Sequence, residues 1–506
     1  MYCSVLEWLE ETAHRLPQKV AFQSDEGGVT FAEVRERAEK IGARLAEVIS
    51  PREPVAVFTQ KSVMTPVCFL GVVYAGACYA PIDAALPQAR IASMLEVLQP
   101  STVLADRANA ELLADLGFTG RILYTEELLT GDGKLTAADQ AVLAGIRTQA
   151  TGQDPLYIIF TSGSSGRPKA VMTAHHSLMN YIEAYGEVMG IVKTDVLGNQ
   201  SPLDYIAAIR DIYLPLRYGC STVLIPKVMF MQPDRLFDYM NRHQVTSVGW
   251  SVSALTIPVS LGAFDEHELT SLKKVCFSGS VMPCHVLRKW QQHLPQAKFV
   301  NQYGPTEATA SCTYYEVDHL VDEAEILPIG QPYKNYRIFL LKEDGSQAGV
   351  QEEGEICVAG IGLALGYYRD AERTAEAFTE LPGFDGYRVP IYRTGDIGVR
   401  RADGQLEFHG RKDRQVKHLG HRIELDEVEV AAGRIDGVQQ TAVLYESVSE
   451  QLYLFYTGKA SAKELAVGLR RTIPGFMVPR KMIALASMPL LPNGKIDLQA
   501  LREQMK

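Results

Sequence analysis

Short apolar segments alternate with amphipathic segments over most of the chain, and this alternation limits the possible folds more than any other feature. Pro54–Phe58 has the pattern of a buried strand and Val67–Tyr74 that of a helix. Further along, a strand over Ser221–Ile225 precedes a helix over Pro233–Arg242. Such alternation is typical of α/β architecture, in which helices cover a sheet. The sequence therefore predicts an α/β protein.

The pattern changes twice in the second half of the chain. From Pro332 the strands shorten and alternate, as in Tyr336–Leu340, which predicts a β-rich subdomain. The charged segment Arg411–Arg414 predicts a boundary, and short strands and helices after it predict a small α+β unit. We expect a large N-terminal core of two α/β subdomains plus the β-rich subdomain, and a small mobile C-terminal domain, over residues 1–412 and 413–506.

Charge and hydropathy exclude several classes of protein. The 506 residues include 50 Lys and Arg against 60 Asp and Glu, a formal net charge of -10, which argues against nonspecific duplex binding. The N-terminus carries acids where a secretory leader needs basic and apolar regions. Val67–Ile82 is too short to span a membrane and predicts a buried helix running into a loop. We expect a cytoplasmic protein with no nucleic-acid or membrane partner.

The cysteines and histidines show no metal-binding pattern. The 8 cysteines are scattered, mostly in apolar runs, without a CxxC spacing, which predicts reduced core thiols. His418 and His421 lie in a basic stretch without a nearby group of acidic ligands. We expect no metal site built from these residues.

The sharpest local motif follows the apolar strand Tyr157–Thr161. Glycines, small hydroxyl residues and a final lysine come next, a combination that lets backbone N–H groups, hydroxyls and a cation approach a phosphate. No Gly-Lys-Ser/Thr follows, so the segment is not a Walker-type loop. A flexible surface turn is the alternative. The predicted phosphate-binding residues are Thr161, Ser162, Gly163, Ser164, Ser165, Gly166 and Lys169.

Four later motifs occur in the segments Asn301–Glu307, Tyr392–Asp396, Gly410–Lys417 and Leu491–Asp497. Together with the loop they resemble, in order and spacing, the motifs of the adenylate-forming (ANL) superfamily, which holds acyl-CoA synthetases, luciferases and adenylation domains of nonribosomal peptide synthetases. The resemblance covers essentially the whole chain. The resemblance is strongest to the adenylation domains. In type, the chain is most similar to the stand-alone β-amino acid:carrier protein ligases.

The resemblance implies an ATP- and Mg²⁺-dependent ligase that forms an acyl-AMP and passes the acyl group to a thiol. It implies that Asn301, Tyr303, Gly304 and Arg411 bind the nucleotide, with Tyr303 stacked on adenine. Asp396 has two acceptor oxygens for the ribose hydroxyls.

The same resemblance assigns the catalytic residues and the hinge. It implies that Thr161 and Thr306 contact phosphate and that Glu307 holds Mg²⁺. Lys495 bridges the substrate carboxylate and the α-phosphate, where a cation stabilises developing charge. Asp413 is the hinge on which the cap rotates.

The segment that follows Ser201 departs from the family pattern. Ile206 takes the slot where domains for α-amino acids carry an aspartate, and an alkyl group cannot compensate a buried ammonium. Either the substrate has no amine there, as in a hydroxy, keto or simple carboxylic acid, or Asp204 binds an amine displaced by one carbon. The second interpretation resembles enzymes that load β-amino acids in macrolactam pathways. As a further alternative, Asp204 is only a turn residue after Pro202.

Alignment with the same family pattern predicts the residues that line the acyl pocket. Small side chains among them leave room for a substrate side chain, and Arg210 either faces a carboxylate or pairs with Asp211 or a neighbour. The predicted pocket residues are Asp204, Tyr205, Ile206, Ala207, Arg210, Trp250, Cys276, Ser278, Gln302, Ala310 and Ser311.

The chain reaches Lys506 shortly after Lys495, without a carrier domain. The resemblance therefore implies either a free-standing enzyme with an acyl or peptidyl carrier protein in trans, or a domain cut from a larger chain. Because carriers are generally acidic, we expect docking on a local basic patch on or near the cap. The alternatives are an acyl-CoA synthetase and a non-catalytic homologue, and the second is disfavoured by the presence of every motif residue named above.

Overall fold

The computed structural model describes residues 2–129, 134–383, 386–447, 449–491 and 496–505. The chain divides into two compact units. The first consists of Met1–Ala84, Leu98–Ile159 and Ala170–Lys412. The second consists of Ala85–Val97, Phe160–Lys169 and Asp413–Lys506, so it includes two segments that the sequence analysis assigned to the core.

The described residues form strands that we number in chain order. They are β1 (Val20–Ser24), β2 (Gly27–Thr30), β3 (Pro54–Phe58), β4 (Cys78–Ile82), β5 (Thr102–Ala105), β6 (Arg121–Tyr124), β7 (Pro155–Thr161), β8 (Lys169–Ala174), β9 (Val196–Asn199), β10 (Ser221–Leu224), β11 (Ser247–Ser251), β12 (Lys274–Ser278), β13 (Lys298–Tyr303), β14 (Thr313–Val317), β15 (Gln331–Pro332), β16 (Tyr336–Leu341), β17 (Glu353–Gly360), β18 (Gly366–Tyr367), β19 (Phe378–Pro382), β20 (Arg388–Arg400), β21 (Leu406–Arg411), β22 (Gln415–His418), β23 (His421–Glu424), β24 (Val438–Glu446), β25 (Gln451–Gly458) and β26 (Lys481–Ala484).

The helices are numbered in the same way. They are α1 (Val5–Arg15), α2 (Phe31–Ala46), α3 (Thr65–Tyr74), α4 (Gln88–Leu98), α5 (Arg107–Asp115), α6 (Thr125–Leu129), α7 (Ala137–Gln149), α8 (His175–Met189), α9 (Ile209–Tyr218), α10 (Pro233–Arg242), α11 (Val252–Ser260), α12 (Ala263–Glu266), α13 (Cys284–His293), α14 (Ala371–Ala377), α15 (Leu425–Gly433), α16 (Ala462–Thr472) and α17 (Leu498–Arg502).

The first unit contains a nine-stranded sheet with the order β15-β14-β13-β12-β11-β9-β10-β1-β2. Its centre, from β13 to β1, is parallel. Neighbouring residues along a strand pack into different hydrophobic clusters: Cys276 belongs to one, and Val275 and Phe277 belong to the other. Both faces are therefore covered, as parallel sheets require.

Two further sheets complete the first unit. The seven-stranded sheet has the order β18-β8-β7-β4-β3-β5-β6, and β3 to β6 pair in parallel. The five-stranded sheet is antiparallel, with the order β16-β17-β20-β19 and β21 paired to β20. The predicted two α/β subdomains and β-rich subdomain are confirmed.

The second unit contains the hairpin of β22 and β23 and a three-stranded sheet of β24, β25 and β26. Val428 of α15, Leu454 of β25 and Leu465 of α16 pack in one core. Helix α16 begins at a capping box, in which Ser461 and Glu464 satisfy each other's backbone N–H groups. The prediction of a small α+β unit is confirmed.

The structure corrects one detail of the apolar run Val67–Ile82. Helix α3 ends at Tyr74, and Gly76 adopts a φ of 72° that most side chains avoid. The chain then enters the buried strand β4, so the predicted loop is wrong. In the part of the chain that the structure describes, no helix is both long and apolar enough to cross a bilayer.

Candidate active site

The predicted phosphate-binding loop joins β7 to β8. A Cβ atom on Gly163 would lie 2.1 Å from the carbonyl oxygen of Arg167, and Gly166 has a φ of 76°, so the loop needs glycine at both positions. Ser164 and Ser165 are exposed, whereas the hydroxyl of Thr161 is buried and has no hydrogen-bond partner. Because buried polar groups normally have partners, this hydroxyl fits a ligand oxygen.

Residues of β23 and α15, in the same compact unit as this loop, accept hydrogen bonds from its donors. Lys169 Nζ lies 3.0 Å from Glu424 Oε1, and both side chains are largely buried. The backbone N–H of Gly163 donates to Glu427 Oε2 at 3.2 Å, and Ser162 Oγ donates to the carbonyl of Arg422 at 2.8 Å. The loop thus binds two carboxylate oxygens and one carbonyl oxygen with the groups that are predicted to bind phosphate oxygens.

Glu427 is held in place by a second cation. Its Oε1 lies 2.7 Å from Arg90 Nη1, and the residue is 2% exposed. Burial raises the pKa of Glu427, although Arg90 opposes the shift. Sequence analysis missed Glu424 and Glu427 because they lie more than 250 positions from the loop.

Removing the charge of Glu424 should strengthen ATP binding. With Lys169 no longer paired, Glu424→Gln is expected to lower the Kd for ATP by about 10-fold, because the binding-competent loop becomes more populated. Isothermal titration calorimetry measures this. Glu429→Gln is the control, because Glu429 pairs with Arg414 instead. Weaker ATP binding in Glu424→Gln would show that Glu424 orients Lys169 productively.

A second polar cluster lies at the end of β13 and between β20 and β21. Asp396 on β20 faces Arg411 on β21 in the strand register, and Arg411 Nη1 donates to its Oδ1. The hydroxyl of Tyr303 donates to Oδ2. Burial raises the pKa of Tyr303, so the phenol stays neutral. The structure brings together three residues predicted to bind the nucleoside, and each carboxylate oxygen keeps a further acceptor site.

Glu307 lies in the turn that follows β13, from Thr306 to Ala308. It is fully buried, and its Oε1 accepts a 2.8 Å hydrogen bond from the hydroxyl of Tyr367, which sequence analysis missed. No group of three potential ligands within the described residues could hold a metal alone. Mg²⁺ commonly binds through one or two carboxylates plus substrate phosphates, and Glu307 fits this role.

Gly304 and Asn301 shape the same turn. A Cβ atom on Gly304 would lie 2.4 Å from Ser311 Cα, so only glycine fits. Asn301 Nδ2 donates to the carbonyl of Pro328 at 2.8 Å. These two residues therefore support the turn that carries Thr306.

A buried polar cluster occupies the predicted acyl pocket. Arg210 Nη1 donates to Gln302 Oε1 at 3.1 Å and contacts Cys276 Sγ at 3.7 Å. Ser311 Oγ donates to the same oxygen of Gln302 at 3.3 Å. Burial raises the pKa of the Cys276 thiol to about 11, so it stays protonated. The structure thus groups these four predicted residues.

The other pocket residues lie on the loops and strands beside this cluster. Ile206 is buried and begins the 3₁₀ turn Ile206–Ala208, while Asp204 and Tyr205 are partly buried just before it. Ala207, Ser278 and Ala310 are partly exposed.

Strand register separates Trp250 from this cluster. Gly249 pairs with Cys276, whereas Trp250 pairs with Phe277 on the opposite face. Trp250 packs against Phe230 in the second hydrophobic cluster. Gly249, which sequence analysis missed, is the residue of β11 that contacts Arg210, and its carbonyl accepts from Nη2 at 3.0 Å.

A family model described as "AMP-binding enzyme" matches residues 9–368, which is more than half of the chain. The chain belongs to this family. The predicted membership of the adenylate-forming superfamily is thereby confirmed.

This AMP-binding enzyme is similar to several characterised proteins. It is 31% identical to tyrocidine synthase 2 of Brevibacillus parabrevis over 98% of this chain and 13% of that protein. It is 29% identical to the D-alanine--D-alanyl carrier protein ligase of Bacillus licheniformis over 99% of both chains. A solved NRPS protein containing adenylation and PCP domains has a TM-score of 0.83 at 26% identity, covering 99% of this chain and 84% of that one. The enzyme therefore spans a small part of the tyrocidine synthase and nearly all of the ligase.

Lys495 lies outside the described residues. Asp413 is the first residue of the last segment of the second unit, and its Oδ1 accepts from the backbone N–H of Gln415 at 3.1 Å.

Proposed function

We propose that the protein activates a β-amino acid as acyl-AMP at the expense of ATP. It then transfers the acyl group to the phosphopantetheine thiol of a separate carrier protein, in a biosynthetic route such as macrolactam assembly. The observation that carries the first step is the phosphate-binding loop, with the unpartnered hydroxyl of Thr161 and the cation Lys169. The Asp396 cluster and Glu307 support the nucleotide assignment.

In the first step, the substrate carboxylate attacks the α-phosphorus of ATP and pyrophosphate leaves. Lys169 and the loop N–H groups hold the leaving phosphates, Asp396 accepts from the ribose hydroxyls, and Thr306 donates to the α-phosphate. Mg²⁺ bound at Glu307 would neutralise phosphate charge. Lys495 is proposed to contact both reacting groups and to stabilise the charge that develops between them.

In the second step, the carrier thiolate attacks the acyl carbon and AMP leaves, forming a thioester. We propose that the cap rotates about Asp413 between the two steps. The D-alanyl carrier protein ligase and the NRPS protein with a PCP domain support a carrier protein as the acceptor.

Asp204 supports a substrate amine. Burial, and then the neighbouring carboxylate of Asp83, raise the pKa of Asp204 to about 7. No lysine or arginine among the described residues forms an ion pair with its carboxylate within 4 Å. An incoming ammonium would supply the missing counter-charge. With Ile206 in the usual slot, an amine one carbon further along the substrate is favoured over an α-amine.

A groove in the second unit supports carrier docking. It is lined by Lys463, Arg470 and Arg480 together with apolar residues such as Val478 and Met482. The three cations are exposed and form no ion pair with the carboxylates that the structure describes. Such a surface is complementary to an acidic carrier, although the chain as a whole has a net charge of -10.

Charge reversal in this groove should slow loading without affecting adenylation. Arg470→Glu is expected to lower the rate of carrier acylation about 10-fold, because the groove would lose electrostatic attraction. Loading by the wild type should also weaken as salt rises. Radiolabelled loading assays measure both effects, and Lys459→Glu, outside the groove lining, is the control. Equal losses in both variants would place the docking surface elsewhere.

Pyrophosphate exchange tests the function as a whole. We expect exchange with β-amino acids and thioester formation on a holo carrier protein. Exchange only with amine-free acids would replace the β-amino acid assignment, and transfer to free CoA alone would favour an acyl-CoA synthetase. No exchange with any acid would favour a non-catalytic homologue.

A further inference from the structure

The guanidinium of Arg210 is a buried cation without a carboxylate partner. The residue is 2% exposed. Its donors go to neutral acceptors: Nε to the carbonyl of Ala207 at 3.3 Å, Nη1 to Gln302 and Cys276, and Nη2 to the carbonyl of Gly249. No described carboxylate lies within ion-pair distance of it. A buried charge without a counter-charge lowers the stability of the folded protein.

Asp211 forms no direct ion pair with Arg210. It is the next residue of α9, and successive side chains on a helix point in different directions. Its carboxylate instead accepts a 2.8 Å hydrogen bond from Asn199 Nδ2. Burial raises the pKa of Asp211 to about 6, although the charge of Arg210 opposes the shift, so the two groups interact only at a distance.

The surroundings of Arg210 hold the guanidinium in one position. Its Cζ lies 5.6 Å from the ring centre of Tyr185, and Gln302, which accepts from it, also donates to the hydroxyl of Tyr333. Four of its five N–H groups have partners among the described residues, so one Nη2 N–H is left over. Ala207 and Ser278, beside the cluster, are partly exposed, so the cluster adjoins residues that a ligand can reach.

We infer that Arg210 binds a second carboxylate of the substrate, one that is not adenylated. This inference rests on the proposed function, since it assumes that the cluster lies in the acyl pocket. The substrate would then carry an ammonium for Asp204, a carboxylate for Arg210 and the carboxylate that reacts. The remaining Nη2 N–H can donate one charge-assisted hydrogen bond to a carboxylate, which would also supply the counter-charge. Arg210 is thus a specificity-determining residue.

A panel of four acids tests the inference on the wild-type protein. It consists of β-homoglutamate, β-homoglutamine, adipic acid and adipamic acid, so that the terminal carboxylate and the amine vary independently. We expect pyrophosphate exchange to favour each terminal carboxylate over its amide by about 10²-fold in kcat/KM, because the amide leaves the buried cation unpaired. The same comparison is repeated with side chains one carbon shorter and one carbon longer.

The panel separates this inference from the proposed function. Equal rates for carboxylate and amide at all three lengths, or no exchange with any terminal carboxylate, would overturn the role of Arg210. Equal rates with and without the amine would instead overturn the role of Asp204.

Two substitutions add an independent readout. Arg210→Gln should abolish the preference for the carboxylate, and Arg210→Lys should keep part of it. Arg217→Gln, on the same helix but paired with Glu183, is the control for disturbance of α9. Thermal unfolding shows whether each variant is folded. If Arg210→Gln does not fold, the panel of acids on the wild-type protein decides the role of Arg210 by itself. A variant that loses carboxylate and amide substrates equally would mean that Arg210 only supports the fold.

Discussion

Lys495→Ala is expected to slow acyl-AMP formation by 10²- to 10³-fold, or about 3–4 kcal/mol of transition-state stabilisation. The reason is that a cation between the carboxylate and the α-phosphate acts on charge that develops only as the two groups react. Pyrophosphate exchange measures the loss. Lys481→Ala, which removes an exposed lysine of β26, should leave the rate unchanged.

The same variant should keep the second step. Transfer to a carrier protein from a supplied acyl-AMP is expected to survive, because that step does not require attack on phosphorus. Near-wild-type pyrophosphate exchange in Lys495→Ala would contradict the assignment. Loss of both steps would indicate a structural role for this lysine.

Asp204→Ala is expected to destabilise the bound β-amino acid by about 3–5 kcal/mol, the usual cost of removing one partner of a buried charge pair. Exchange with a matched amine-free acid should change little. The wild-type protein should prefer a β-amino acid over its α-isomer. The control variant is Asp238→Ala, which removes a largely exposed carboxylate. An indifferent Asp204→Ala would exclude Asp204 from substrate binding.

The pH dependence gives a second test of Asp204. Below its pKa of about 7 the carboxyl group becomes neutral and attracts an ammonium less, so KM for a β-amino acid should rise as the pH falls. KM for an amine-free acid should not follow this curve. Asp204→Asn should flatten the profile, and an unchanged profile would assign the titration to another group.

Local sequence patterns predicted several elements of the first unit. Helix α10 begins at Pro233 and ends at Arg242 as the sequence pattern predicts, and β3 agrees residue for residue. Strand β4 was missed because its residues continue the apolar run of α3, and hydropathy alone does not separate a buried helix from a buried strand.

The parts of the site that sequence did not predict depend on long-range pairing. Gly249 and Trp250 are neighbours in β11. Only the pairing of β11 with β12 shows that Gly249, and not Trp250, lies on the same face as Arg210. The contact of Glu424 with Lys169 joins positions far apart in the chain. Motif spacing carries no information on either.

The absence of a side chain at Gly249 also couples this position to Arg210. A Cβ atom there would lie 3.1 Å from Arg210 Cζ and 3.3 Å from the hydroxyl of Tyr185. Any side chain at 249 would therefore require the guanidinium of Arg210 to shift by a few tenths of an ångström. The two positions are expected to be epistatic, so the effect of a substitution at 249 should depend on which residue stands at 210.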